Sequence, residues 1–163
     1  MMEQDQGQSV AKQLVLQKIY IKDFSFESPR APDVFATRAT PQTQLNIRSS
    51  AREVPGGAQE VTLTLTIEAK DEDKTLFLIE LEQAGVFLIQ GYSPEEQQML
   101  VGSYCPGTLY PFAREAVSDI VSRGGFPQLL LQPINFDALY AQALRERQQG
   151  NGGESVDFPA QGH

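Results

Sequence analysis

The sequence predicts an α+β fold: a four-stranded antiparallel sheet with a long kinked helix and a C-terminal helix packed on one face. Two observations carry that prediction. Apolar residues alternate with a period of two through the first half and recur at three- and four-residue spacings through the second. The strands also come as a block before the helices, the order of an α+β domain rather than of alternating βαβ units.

The elements follow in turn. Residues 1–12 carry almost no apolar side chains and read as a disordered lead-in. Leu14–Glu27 reads as a strand. At its end Phe24 and Phe26 point one way and Asp23, Ser25 and Glu27 the other, because strand side chains alternate. A loop with Pro29, Pro32 and Pro41 precedes a second strand, Gln42–Ala51, and Pro55-Gly56-Gly57 is a turn. Glu60–Ala69 sets Val61, Leu63, Leu65 and Ile67 against Thr62, Thr64, Thr66 and Glu68. After the turn at Asp71–Lys74, Thr75–Gln83 places Phe77, Ile79 and Leu81 on one face, with Leu76, Leu78, Glu80 and Glu82 on the other. Short turns favour a meander, and the long first connection leaves room for a crossover.

Ser93-Pro94-Glu95-Glu96 has the form of a helix start, with Ser as N-cap, Pro at the first position and Glu three after the cap. A short helix to about Ser103 restarts or kinks at Pro106, with Pro111 a second kink point. Phe112, Ala113, Ala116, Val117, Ile120 and Val121 form one apolar stripe, ended by Gly124-Gly125. Asn135 caps a last helix carrying Phe136, Leu139, Tyr140, Ala143 and Leu144. The folded domain is then 13–147. The remainder, 148–163, holds four Gly, one Pro and two acids and reads as a flexible tail.

Counting excludes several functions. The chain of 163 residues has 13 Lys+Arg against 21 Asp+Glu, a net charge of −8 and a pI near 4.6, which argues against nucleic acid or an anionic membrane as partner. Its one His is His163 and its one Cys is Cys105, so neither a histidine-based triad nor a disulfide or thiolate zinc site is predicted. No apolar run approaches the ~18 residues that span a bilayer, and MMEQDQGQSVAK is polar where a signal peptide is basic and then apolar. A cytoplasmic protein is expected.

The charged and apolar patterns leave alternatives open. Cys105 before Pro106 is a small buried side chain or a thiol activated at a helix start. Asp23, Glu27, Glu80 and Glu82 form a solvated face, a carboxylate pair for acid–base chemistry, or a docking surface for a basic partner with Leu78 as apolar anchor. Apolar residues on both sheet faces, Leu76 and Leu78 included, exceed what two helices cover. The excess should meet a second copy, a partner or a ligand.

Four segments resemble one family. Cys105–Glu115, CPGTLYPFARE, resembles the CPxxLFPYARE segment of the SecB family of bacterial protein-export chaperones. SRGGFPQL at Ser122–Leu129 and PINFDAL at Pro133–Leu139 are similar to its SRGxFPQL and PVNFDAL. YIKDFSFE at Tyr20–Glu27, with Pro29 and Pro32 after it, is similar to its YxKDxSFE strand. The resemblance runs in order over about residues 14–145. It implies the same four-stranded sheet and two helices, assembled as a homotetramer, a dimer of dimers with helices between two eight-stranded sheets. It implies a non-enzymatic holdase that keeps precursor proteins unfolded and delivers them to the SecA translocation ATPase, with no catalytic residue, cofactor or metal of its own. Asp23, Glu27, Leu78 and Glu80 match SecA-docking positions. Phe35, Tyr104 and Tyr140 match aromatic positions near the peptide groove, and Phe77, Ile79, Leu81 and Gln83 match positions at or near the tetramer interface. The chain has no Trp, and Ala39 stands where the family often has one. Its Gly-rich tail also departs from the pattern.

Overall fold

The computed structural model describes residues 11–38 and 40–149, and the backbone of 156–160. Most of the predicted lead-in, Ala39, and the tail apart from Gln148, Gln149 and 156–160 lie outside the described residues.

Four long strands make the sheet: β1 (Gln13–Glu27), β2 (Gln42–Val54), β3 (Ala58–Asp71) and β4 (Lys74–Gln90). A 3-10 turn, Asp33–Ala36, lies in the first connection. The order is β1-β4-β3-β2, all antiparallel, so β2, β3 and β4 are a meander and β1 reaches β4 by a crossover. A fifth strand, β5 (Val156–Ala160), pairs antiparallel with the outer edge of β2. Within the segment expected to be a flexible tail, these five residues take an extended backbone. Five residues of extended backbone suffice to pair with an open edge, and composition alone hides so short a strand.

β1 does not alternate simply. Its pairing with β4 is irregular between Leu16 and Lys18 and between Ile21 and Asp23, two bulges that each insert a residue. Each bulge resets which parity faces the helices. Leu14, Leu16, Ile19, Ile21, Phe24 and Phe26 share the helix face, while Tyr20, Asp23, Ser25 and Glu27 share the other. Gln83, buried on the helix face, donates from Nε2 to the carbonyl of Tyr20 at 3.1 Å and so serves the backbone beside the second bulge.

The helical half is a continuous rod: α1 (Pro94–Met99), a π-helical turn (Leu100–Tyr104) and α2 (Cys105–Arg123). Ser93 caps it by accepting from the Glu96 N–H. Pro106 cannot donate a backbone bond, and the rod accommodates it with the wide π turn immediately before it, where the Cys105 N–H reaches the Leu100 carbonyl. The predicted interruption is thus a local widening. At the end of α2, Gly125 takes φ +87° and donates to the Ser122 carbonyl, a left-handed stop suited to Gly. Asn135 caps α3 (Phe136–Gln148) through Oδ1 to the Ala138 N–H.

α2 lies across β3 and β4 with Leu109, Ala113, Val117 and Val121 wholly buried against Val61, Leu63, Leu65, Ile67, Ile79 and Leu81. The predicted single stripe is therefore two. Phe112 is 46% exposed, with Ala116 and Ile120 half-buried, on a second face that overhangs β1. Leu76 is also corrected. It sits at the irregularity beside Ala69 and Lys70 and belongs to the core, so of the two leucines only Leu78 keeps surface.

Candidate functional site

The helix-free face of the sheet gathers the predicted docking residues. Three rows cross β1, β4 and β3. Glu27, Leu78 and Glu68 form one, Ser25, Glu80 and Thr66 the next, and Asp23, Glu82 and Thr64 the third. Residues directly opposed in such pairs have Cβ atoms about 5 Å apart. Five carboxylates thus surround a half-exposed leucine. Glu68 is held by the Thr75 hydroxyl at 2.9 Å and by Lys70 at 3.6 Å. Among the described residues, Asp23, Glu27, Glu80 and Glu82 have no ion pair. Asp23 opposes Glu82, and like charges in that position destabilise a sheet. A cationic partner would relieve that local cost, and Leu78 would give it something to bury.

The pattern reading missed a second cluster on this face. The Glu60 carboxylate is 6% exposed and is bridged by Arg52 Nε at 2.9 Å, by Lys22 Nζ at 3.0 Å and by the Tyr20 hydroxyl, which donates to its other oxygen. These donors, with the Tyr20 bond foremost, lower its pKa from 4.5 to about 2. Burial and the same carboxylate raise Tyr20 to about 12. The signal was present as one acid in an apolar-threonine strand, but its partners are 8 to 40 residues away.

A stability prediction follows with its sign. A carboxylate whose pKa falls on folding stabilises above its unfolded value, and that contribution disappears as pH falls from about 4.5 toward 2. The full shift corresponds to about 3 kcal/mol. The cover over Glu60 is a single layer of side chains with water beyond, which reduces the figure to roughly 1–2 kcal/mol. Glu60→Gln should lose that amount at pH 7, and its stability should fall less than the parent's between pH 5 and pH 2. Urea titrations across that range measure both.

The groove candidates separate into two places. Phe35 lies against Gly125, its ring 5.4 Å from Phe126, which in turn meets Phe77 at 5.0 Å. Tyr104 is on the π turn, half exposed, and Tyr140 of α3 lies over Gly102 of the same turn. About 30 Å of helix separates Phe35 from Tyr104. They mark the two ends of α2 rather than one cluster. α3 is anchored to the π turn by Tyr140 and by a Ser103 hydroxyl bond to Asp137.

The interface candidates lie on the helix face of the sheet. Phe77, Ile79, Leu81 and Gln83 are 4%, 0%, 0% and 4% exposed within one chain, because their face is the one α2 covers. They have almost no surface to offer another copy. Among the exposed apolar residues are Val15, Leu16 and Ile21 of β1 and Phe112 of α2, and Ile21 and Phe112 line an open cleft of about 520 Å³ between β1 and α2.

Cys105 is fully buried, and burial pushes its thiol up to about 12, so it is an inert core side chain. Among the described residues no group of three His, Cys, Asp or Glu could hold a metal ion, and no helix is long and apolar enough to cross a membrane.

Comparison with known proteins places this geometry. The family described as preprotein translocase subunit SecB matches residues 7–147. The chain belongs to the SecB family. The protein-export protein SecB of Methylococcus capsulatus is 48% identical over 145 residues, 89% of this chain and 94% of that one. That of Alcanivorax borkumensis is 51% identical over 147 residues, 86% and 93% of the two chains. Among solved structures, the SecB-like chaperone Rv1957 of Mycobacterium tuberculosis, determined in complex with a ChAD peptide from the HigA1 antitoxin, superposes with a TM-score of 0.63. At 19% identity, covering 74% of this chain and 90% of that one, it shows the shared fold. The α+β architecture expected from the SecB resemblance is therefore the observed one.

Proposed function

We propose that this protein is an export chaperone of the SecB type, a non-enzymatic holdase that binds precursor polypeptides before they fold. The observation that carries the reading is the 48–51% identity to protein-export proteins across nearly the whole chain. It binds non-native chains through apolar and aromatic surface, and such binding pulls the folding equilibrium toward the unfolded form.

Its second partner is SecA, received on the face of Asp23, Glu27, Leu78 and Glu80. The unpaired carboxylates and the leucine among them support that docking role. Client release follows from SecA engagement, with no hydrolysis by this chain. The working assembly is a homotetramer in the cytoplasm. The exposed Ile21 and Phe112 support assembly across the β1–α2 cleft, with Phe77, Ile79, Leu81 and Gln83 contributing through the helix they support.

Native mass spectrometry tests the reading. Alone, the protein should register at four times its protomer mass of 18.0 kDa. With reduced and alkylated α-lactalbumin, a tetramer carrying client should appear, and native α-lactalbumin should add nothing. A monomer indifferent to the unfolded protein at micromolar concentration would refute the proposal.

A further inference from the structure

β5 lies along five residues of the β2 edge, with Thr43 opposite Ala160, Gln44 opposite Pro159, Leu45 opposite Phe158, Asn46 opposite Asp157 and Ile47 opposite Val156. Pro159 has no N–H, so its pair with Gln44 is of the non-hydrogen-bonded kind. Pairs alternate along an antiparallel ladder. Thr43, Leu45 and Ile47 are therefore the β2 residues whose backbone groups face β5. In a non-hydrogen-bonded pair each residue's own N–H points away from its partner strand. At Pro159 none is present, so β5 occupies one edge and leaves a blunted one in its place.

The covered stretch is well placed for a guest. Leu45 and Ile47 are buried, and β2 lies against the π turn that carries the exposed Tyr104, with exposed Met99 just before it. An extended polypeptide on this edge would find a backbone ladder along one side and aromatic surface close by, the combination that strand addition uses. Resting on the holdase reading above, we infer that Thr43–Ile47 is a strand-accepting edge for extended clients and that Val156–Ala160 is its built-in competitor. The chain's own tail fills the edge in the free protein, and a client displaces it. Affinity for clients is then reduced by the fraction of time the edge is occupied.

Two variants of the full chain test this in opposite directions. Phe158→Pro removes the N–H that faces Leu45. It should tighten binding of reduced and alkylated α-lactalbumin about 3- to 10-fold, the factor expected for an edge occupied most of the time. Asn46→Cys with Asp157→Cys joins a directly opposed non-hydrogen-bonded pair, whose Cα spacing of about 4.5 Å suits a disulfide. Oxidised, this variant should bind the client roughly tenfold more weakly or worse, and reduction should restore binding. Amide exchange reads the edge itself. The Thr43, Leu45 and Ile47 amides should be protected in the parent, exposed in Phe158→Pro, and protected again when α-lactalbumin is added.

Unchanged client affinity in both variants, with the parent still capturing client, would overturn the competitor and leave the holdase reading standing. Client binding without renewed protection in Phe158→Pro would overturn the strand-accepting edge. A parent that captures no client would end both readings together.

Discussion

Lys in place of Glu80 is expected to weaken SecA binding roughly 10- to 100-fold while capture of unfolded protein is unchanged. Glu80 stands in the middle row of the open face, between Ser25 and Thr66 and next along β4 to Leu78 and Glu82. Reversing its sign adds a cation to the patch meant to receive one. The side chain is exposed, so the fold should be little affected. Asp23→Lys should act in the same direction. Glu53→Lys, equally exposed near the far end of β2, makes the same change in net charge and should leave SecA binding intact. Calorimetry at two salt concentrations separates the contributions. The carboxylate variants should reduce the salt dependence, whereas Leu78→Ala should lower affinity with the salt dependence kept, since it removes buried contact rather than charge. Equal affinities for parent, Glu80→Lys and Glu53→Lys would remove SecA from this face.

How far the site could be read in advance depended on the range of the interactions involved. The alternation of β3 and the caps at Ser93 and Asn135 are local, and the structure repeats them. The docking rows were legible in part, because Phe24 and Phe26 against Asp23, Ser25 and Glu27 needs only the pleat. What brings them opposite Leu78, Glu80 and Glu82 is the register of β1 on β4, set by two bulges that a strict period of two passes over. In hindsight the spacing of Leu14, Leu16, Ile19, Ile21, Phe24 and Phe26 holds both insertions, since the step of two becomes three twice. The Glu60 cluster is long-range throughout. A helical stripe also says only that a face is apolar, not which half a single chain will cover. Phe112 stays open on the cleft beside β1, and Phe77 is closed because the Phe26 and Phe126 rings pack against it.

Three glycines along the helical rod should respond to alanine with different signs and sizes. Gly107 is an ordinary helical position whose added Cβ would meet Phe136 at 3.7 Å, a normal contact. Gly107→Ala should stabilise by about 0.5–1 kcal/mol through lower chain entropy in the unfolded state. At Gly102 the same carbon would stand 2.5 and 2.7 Å from the Tyr140 ring, and at Gly124 it would run into the Phe26 ring more closely still. Neither approach is compatible with the contact, so the ring must move. Tyr140 is half-buried on α3 and can swing outward at the cost of its anchorage. Phe26 has less freedom, since its ring is stacked 5.9 Å from Phe77 and lies 6.5 Å from Phe126. Overpacking there should cost about 2–3 kcal/mol, near the upper end for an inserted methyl group. For a domain of this size that lowers the unfolding temperature by roughly 4–12 °C. Gly102→Ala should cost about 1 kcal/mol and raise amide exchange in α3 while α2 stays protected. Melting at one fixed protomer concentration ranks the three, because assembly makes stability depend on concentration. The order Gly107→Ala, parent, Gly102→Ala, Gly124→Ala, from most to least stable, is required. If Gly124→Ala melts with the parent, Phe26 does not fill the space against α2, and the strand that carries Asp23 and Glu27 is not fixed to the helix by that ring.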